Sequence, residues 1–348
     1  MLTGKQQIER GHATFFTRRW YWYCILNGVH SLITASHFTT HKRLLIVKNL
    51  FFTLATIFTF FFATAAPLSA QGLVDGFFAP KGEASVTAGY TRGTADAFYV
   101  GESRTEGIPA HNEFTQNIYS LYAKYGITDR LTVVGSYAFI DLNGDGAPDP
   151  INGLTEDADF QDLQVALKYQ LVSVDLGGGS QLDFLVATTG TLAGGYQNNG
   201  ILSIGTGANA VDFSGGVHFS HSSGFFASAV TGYSLRGEAE NTTETNMGAD
   251  FDVPNAIVGM AKIGYGRKFY GELFFDYQSS QGGLDIGPDL AGRFPETQVN
   301  FARVGASAYY PVTPNLGFSL GYSTFIDGRN ATDFSYISTG VTVSFGGK

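Results

Sequence analysis

The sequence predicts an all-β protein: a transmembrane antiparallel up-and-down β-barrel of about 12 strands, preceded by a signal peptide. Three observations predict this fold. Residues 42–70 have the composition of an export signal. No later stretch is apolar for long enough to form a membrane-spanning helix. The rest of the chain consists of short segments that alternate between apolar and polar residues and are separated by turn residues.

The export signal stands before the strands. Lys42, Arg43 and Lys48 precede an apolar run over residues 50–63, and small residues follow up to Ala70. This order is typical of a signal peptide, and the run is shorter than the roughly 20 residues of a spanning helix. We therefore assign residues 42–70 to the signal peptide and residues 71–348 to the barrel. Residues 1–41 do not resemble a leader, and we interpret them as an N-terminal extension from a mis-assigned start.

The exported part is acidic and contains no cysteine. The chain has 21 Lys and Arg and 30 Asp and Glu, of which seven basic and one acidic residue lie in residues 1–70. Residues 71–348 therefore carry 14 basic against 29 acidic residues, a net charge of −15. Nucleic acid binds through Lys and Arg, so the charge excludes it as a partner. Cys24 lies in the extension, which excludes disulfides from the exported part.

Twelve segments of the exported part alternate with a period of two, each near the 9 to 11 residues that a tilted strand needs to cross a bilayer. In the fourth segment, Leu163, Val165 and Leu167 share one face, whereas Gln164 and Lys168 share the other. The predicted strands are 82–92, 115–126, 130–140, 160–171, 180–190, 208–220, 225–236, 255–266, 268–279, 297–310, 315–326 and 334–345.

A soluble β-sandwich also shows such alternation, so the connections have to distinguish the two folds. The connections after strands two, six, eight and ten are short, and the one after strand four is slightly longer. Those after strands one, three, five, seven and nine are long and polar. This sorting, with an even strand number and both termini at the short-turn side, is typical of outer-membrane barrels. We expect a Gram-negative outer membrane, with its lipid and lipopolysaccharide around the barrel.

Aromatic residues near the strand ends agree with this placement, because membrane barrels carry aromatic girdles at both interfaces. The candidates are Tyr90, Tyr125, Tyr137, Tyr169, Tyr265, Tyr277, Tyr310 and Tyr322. The last strand ends with Val341, Val343 and Phe345, which resembles the terminal aromatic signal that such barrels present to the barrel-insertion machinery. We therefore expect that machinery as a partner.

Charged residues within the strands should point into the lumen, because a charge on the lipid face costs a few kcal/mol at mid-membrane. Such residues can form structural ion pairs, line a path for solutes, or do both. The predicted lumen-lining residues are Asp162, Lys168, Asp183, Arg236, Lys262, Glu272, Asp276 and Arg303.

Two segments resemble a known family. Residues 119–133 form a strand, a short turn and a strand, and residues 160–169 form an Asp-Leu…Lys-Tyr strand. They resemble the meta-pathway phenol-degradation (MetA-pathway) transporter family of outer-membrane barrels. The resemblance implies a barrel near twelve strands, a role in the uptake of hydrophobic, often aromatic, compounds, and Asp162 and Lys168 as lumen-facing family residues. The Gly that usually precedes this Asp is Gln161 here.

We interpret the chain as a non-enzymatic, porin-like channel for passive uptake or efflux of small, hydrophobic or aromatic molecules. One alternative is an outer-leaflet lipid hydrolase in which His218 is the base and Ser220 the nucleophile. Against it, these residues precede a predicted periplasmic turn, and no third residue orients the base. Another alternative is a structural or adhesive barrel that acts through its long loops.

One acidic segment has the spacing of a calcium loop. Asp141, Asn143, Asp145 and Asp149 place oxygen ligands at alternate positions and then at the ninth, with Gly146 at the turn. Asn152 stands where an EF-hand has its bidentate Glu, and no flanking helices are predicted. Such a segment is either a solvated turn or an extracellular Ca²⁺ site, and we expect no other cofactor. We also expect the four oxygen-bearing side chains to point outward, clear of the lumen, and the glycines and prolines to prevent a regular extension of the strands.

Overall fold

The computed structural model describes residues 73–241, 250–287, 290 and 292–346. The predicted extension and signal peptide lie outside these residues. Twelve long strands form the barrel: β1 (Ala84–Ala95), β2 (Glu113–Thr128), β3 (Leu131–Asp145), β4 (Leu163–Gly177), β5 (Ser180–Leu192), β6 (Ala208–His221), β7 (Phe225–Ala239), β8 (Ala256–Gly266), β9 (Tyr270–Ser280), β10 (Asn300–Thr313), β11 (Leu316–Arg329) and β12 (Ser335–Phe345). The predicted all-β fold is confirmed, and each predicted strand overlaps an observed one.

Each strand pairs antiparallel with its neighbours in the chain, and β12 pairs with β1 to close the sheet. Ala84 lies opposite Phe345 at one end of that seam and Thr94 opposite Ser335 at the other. Among the described residues, closure leaves the barrel sheet without an edge strand, which is the condition for a sheet to cross a bilayer. No helix in the described ranges is long and apolar enough to span a membrane.

The connections are sorted between the two ends of the barrel. Residues 129–130, 178–179, 222–224, 267–269 and 314–315 are the tight turns at one end, the short-turn end. The turn after β4 is shorter than predicted because β4 continues to Gly177. The opposite, long-loop end carries a hairpin (Ala97–Val100 with Ser103–Glu106), the strands Glu156–Phe160 and Phe251–Asp252, and a 3₁₀ helix, Phe294–Glu296.

The outer surface of the strands is apolar and the inner surface carries polar groups. On β4, Leu167 is 41% exposed, whereas the neighbouring Lys168 is 0% exposed. Seven of the eight predicted girdle tyrosines are exposed, all but Tyr277. In a soluble protein Lys is almost never fully buried and such apolar residues lie inside. The inverted pattern belongs to a barrel that faces lipid, so the chain folds as a transmembrane barrel.

The loops of the long-loop end pack on one another and on the strand ends. Tyr196, Leu202 and Ile204, from the connection between β5 and β6, are buried against Phe98 of the hairpin and Phe334 before β12. This packing is apolar and draws residues from connections far apart in the chain. It narrows the mouth of the barrel at that end.

Candidate functional site

The lumen holds a cavity beneath the loops of the long-loop end. Its volume is about 560 Å³, within the range of small-molecule sites. Its lining includes the rings of Phe98, Phe294, Phe301, Phe325 and Phe334. Its polar lining includes Asp162, Asp212 and Arg236, and the guanidinium of Arg236 donates to the Gln278 side chain at 2.6 Å. The outer cavity can therefore hold a molecule with an apolar body and a polar group.

A second cavity, of about 380 Å³, lies deeper, along the middle of the strands. One wall is built by small and hydroxyl side chains of β1, β2, β11 and β12: Thr87, Gly89, Thr91, Ser120, Ser319, Gly321, Ser338 and Thr342. Small residues on these strands leave the space open, because a longer side chain at the same positions would extend across it.

The facing wall of this middle cavity carries ion pairs of β8, β9 and β10. Lys262 lies 3.3 Å from Glu272, which also accepts a hydrogen bond from the hydroxyl of Tyr270. Arg303 forms a two-pronged contact with Asp276, with N···O distances of 3.1 and 2.5 Å. Paired charges of this kind hold their side chains in fixed positions, so the passage runs between a rigid charged wall and a hydroxyl wall.

The chain that precedes β1 occupies the lumen toward the short-turn end. Residues 73–80, which we call the N-terminal segment, run inside the barrel, where Asp75 is 1% exposed. The ammonium group of Lys168 donates to the Asp75 carboxylate at 2.7 Å and to the carbonyl oxygen of Phe77 at 2.8 Å. The amide of Ala79 donates to the Thr132 hydroxyl at 3.1 Å. A buried charge is stable only when it is paired, so Asp75 and Lys168 hold each other in place.

Phe77 anchors the N-terminal segment by apolar contacts. Its ring meets those of His218, Phe226 and Tyr270 edge to face, with centroid distances of 4.8, 5.0 and 5.8 Å. Gly76 allows this approach, because a Cβ atom there would lie 2.3 Å from the His218 ring. The segment is thus fitted to the lumen by one ion pair, one aromatic cluster and one glycine.

The eight charged residues predicted to face the lumen lie in three groups. Asp162 and Arg236 line the outer cavity, and Lys262, Glu272, Asp276 and Arg303 line the middle cavity. Lys168 and Asp183 lie buried toward the short-turn end. Asp162 accepts hydrogen bonds from the Gly194 amide and the Tyr196 hydroxyl, so it also anchors the β5–β6 connection.

His218 and Ser220, the base and nucleophile of the alternative hydrolase, form no hydrogen bond with each other in the described structure. Nδ1 of His218 lies 2.6 Å from the hydroxyl of Ser228, on the neighbouring strand β7. Asp183 lies opposite His218 in the β5–β6 register, and its carboxylate accepts from Gln181 at 2.9 and 3.1 Å. The imidazole is covered by Phe77. The pairing follows from strand register, since residues opposite each other are closer than residues i and i+2.

The acidic segment differs from its prediction in two ways. β3 continues to Asp145, because its backbone is paired with β2 and with Glu156–Phe160, so the expected loop is strand up to that point. Asp149 does not point outward. It is buried, and its carboxylate accepts from the amides of Ile151 and Leu202 at 2.8 and 2.9 Å. Within the described ranges, no group of three or more His, Cys, Asp or Glu is arranged to hold a metal.

The calcium site stays a prediction, with Asp141, Asn143 and Asp145 at alternate positions of β3. Calcium added to the refolded barrel should give a heat of binding in calorimetry, because the cation offsets the repulsion between the carboxylates. Asp145→Ala should abolish that heat, and Asp149→Asn should leave it, because Asp149 is occupied by backbone amides. Equal titrations of wild type and Asp145→Ala would contradict a site here.

The sequence predictions did not include Asp75, Phe77 or Lys124. Lys124 is 8% exposed on the inner face of β2, whereas the next residue, Tyr125, is exposed on the outer face. Alternation along β2 was therefore enough to predict that the Lys124 side chain lies in the lumen. No comparable pattern existed for Asp75 and Phe77. The N-terminal segment has no periodicity, and its position depends on partners such as Lys168, 93 residues away.

Comparisons with known proteins bear on the fold. The sequence matches no protein-family model and no curated protein. Among solved structures, the barrel is similar to the COG4313 outer membrane channel from Pseudomonas putida F1, with a TM-score of 0.58 and 14% identity over 77% of this chain and 97% of that chain. The translocator domain of the autotransporter NalP from Neisseria meningitidis gives a TM-score of 0.41 and 10% identity over 77% of this chain and 90% of its own. The likeness to the Pseudomonas channel shows a common barrel fold.

Proposed function

We propose that this barrel is an outer-membrane channel for the passive movement of small molecules. The observation that carries the proposal is the lumen, in which two cavities of about 560 and 380 Å³ follow one another above the N-terminal segment. Barrels of eight strands are just filled by side chains, and those of 16 to 18 enclose an aqueous channel. Twelve strands suit a narrow, controllable route. The similar Pseudomonas protein is itself described as an outer membrane channel.

The proposal includes an orientation in a Gram-negative outer membrane. The long loops face the exterior, and the short turns, the start of β1 and the end of β12 face the periplasm, as is usual for such barrels. The protein should sediment with outer membranes and migrate differently on gels before and after boiling, because a closed barrel resists detergent until heated. Recovery as a soluble periplasmic protein would contradict this orientation and the channel function.

The finer part of the proposal is the solute. Five phenylalanine rings around the outer cavity favour small molecules with a hydrophobic or aromatic body, in line with the resemblance of residues 119–133 and 160–169 to phenol-pathway transporters. The hydroxyl wall and the ion pairs of the middle cavity favour a solute that also carries polar groups, since an apolar solute would leave those groups desolvated without partners.

Blocking the middle cavity tests the channel function. In a porin-deficient Gram-negative host, the wild-type barrel should speed the uptake of a labelled small aromatic solute, and Ser120→Trp should remove the gain, because its ring would fill the hydroxyl-lined space. Ala123→Trp is the matched control: it lies on the same strand but its side chain is exposed on the lipid face. Equal uptake by the two variants would contradict transport through the lumen and favour an adhesive or structural barrel.

A further inference from the structure

Three buried lysines meet where the N-terminal segment enters the lumen. Lys124, Lys168 and Lys262, which we call the lysine cluster, are each at most 8% exposed, and all three act electrostatically on the carboxylate of Asp75. Lys168 touches Asp75 directly, and Lys262 is also paired with Glu272. Three ammonium groups gathered in so little space require an anion, because buried like charges repel strongly.

The hydrogen bonding in this cluster is incomplete. Oδ2 of Asp75 is buried without a hydrogen-bond partner in the described structure. The ammonium of Lys124 makes no hydrogen bond or ion pair with the described residues, and it is not fully enclosed, since the residue is 8% exposed. Buried polar groups are normally satisfied, and an exception calls for a reason. Asp75 thus offsets only part of the positive charge of the lysine cluster, and one of its carboxylate oxygens has no hydrogen-bond partner in the described structure.

Asp75, the anion in the lysine cluster, belongs to the N-terminal segment and not to a strand of the barrel wall. With Asp75 in place, two carboxylates are paired with the lysine cluster, Asp75 with Lys168 and Glu272 with Lys262. When the N-terminal segment leaves, only Glu272 remains paired with the cluster, and the excess positive charge of the site increases. An uncompensated buried charge costs several kcal/mol, so the vacated site should attract another anion.

We propose that the lysine cluster is an anion-binding site in which a solute carboxylate takes the place of Asp75, so that anionic solutes compete with the N-terminal segment for the lumen. This inference rests on the proposed channel function and adds the solute class, small organic carboxylates. The site already holds a carboxylate, that of Asp75, to which the ammonium group of Lys168 donates. The ammonium group of Lys124 makes no hydrogen bond with the described residues and can donate to a second carboxylate oxygen.

The test uses the full chain with Asp75→Asn and Phe77→Ala, which removes the charge and the ring that hold the segment. In planar bilayers with a KCl gradient, this double variant should conduct and its reversal potential should report preference for chloride. Adding Lys124→Met or Lys168→Met should shift the reversal potential toward potassium. Arg130→Met is the control, because it removes a positive charge from an exposed turn.

Two probes of equal shape then distinguish charge from size. Benzoate should reduce the chloride current of the double variant, and benzamide should not. Adding Lys168→Met should raise the benzoate concentration that blocks half of the current about tenfold, because one hydrogen bond to a charged group is lost. Benzoate and benzamide acting alike, a cation-selective current, or a silent double variant would overturn the anion site. None of these results would overturn the channel, which the Ser120→Trp uptake comparison tests separately. Gel migration before and after boiling checks that each variant is folded.

Discussion

Removing residues 73–79 should convert a nearly closed barrel into an open pore. The deletion takes away Asp75 and Phe77, the two anchors that occupy the lumen at its short-turn end, and leaves β1, which begins at Ala84, intact. The lumen below the middle cavity would then be lined by Lys168, His218 and their neighbours and filled by water. Single-channel conductance in planar bilayers should rise several-fold over that of the wild type.

Two further variants serve as comparisons for the deletion of residues 73–79. Lys81→Gln alters a side chain that is exposed, next to the deleted residues, and should leave the wild-type conductance unchanged. Gly76→Ala offers an intermediate case, because its Cβ would clash with the His218 ring and should loosen the segment without shortening the chain. If the deletion variant is folded, judged by its gel migration, and conducts no better than the wild type, residues 73–79 do not occlude the pore.

Placing a charge on the outer face should destabilise the barrel strongly. Leu121 is 52% exposed on β2, between the exposed rings of Tyr119 and Tyr125, which locates it near the middle of the apolar band. Leu121→Arg should lower the free energy of unfolding in lipid vesicles by about 2–4 kcal/mol. On the surface of a soluble barrel, the same substitution would change it by only about 0.5 kcal/mol or less.

The position of the charge supplies the control. Val312 is also exposed, but it lies at the end of β10 next to the tight turn at 314–315. Val312→Arg should therefore cost only about 0–1 kcal/mol, the value for the membrane interface. If the two substitutions lower the free energy of unfolding equally in denaturant titrations, the outer face of the strands does not contact lipid.

Much of the wall could be predicted because its signal is local. The period-two pattern of a strand such as β4 is written in consecutive residues, so it predicts both the strand and the face that Lys168 occupies. The acidic segment departs from its prediction for the converse reason. Glycine and proline suggested a loop from Asp141 onward, but pairing with β2 and with Glu156–Phe160 extended β3 to Asp145. Strand length depends on neighbours that the local pattern does not contain.

An all-β chain of twelve strands, its long and short connections, and the lumen-facing charges could be predicted from the sequence alone, because alternation and turn chemistry act over a few residues. What fills the lumen could not be predicted in this way. The N-terminal segment has no pattern of its own, and its place inside the barrel follows from an ion pair with β4 and ring contacts with β6, β7 and β9. These contacts exist only after the barrel closes, because closure is what brings four separate strands around residues 75 and 77.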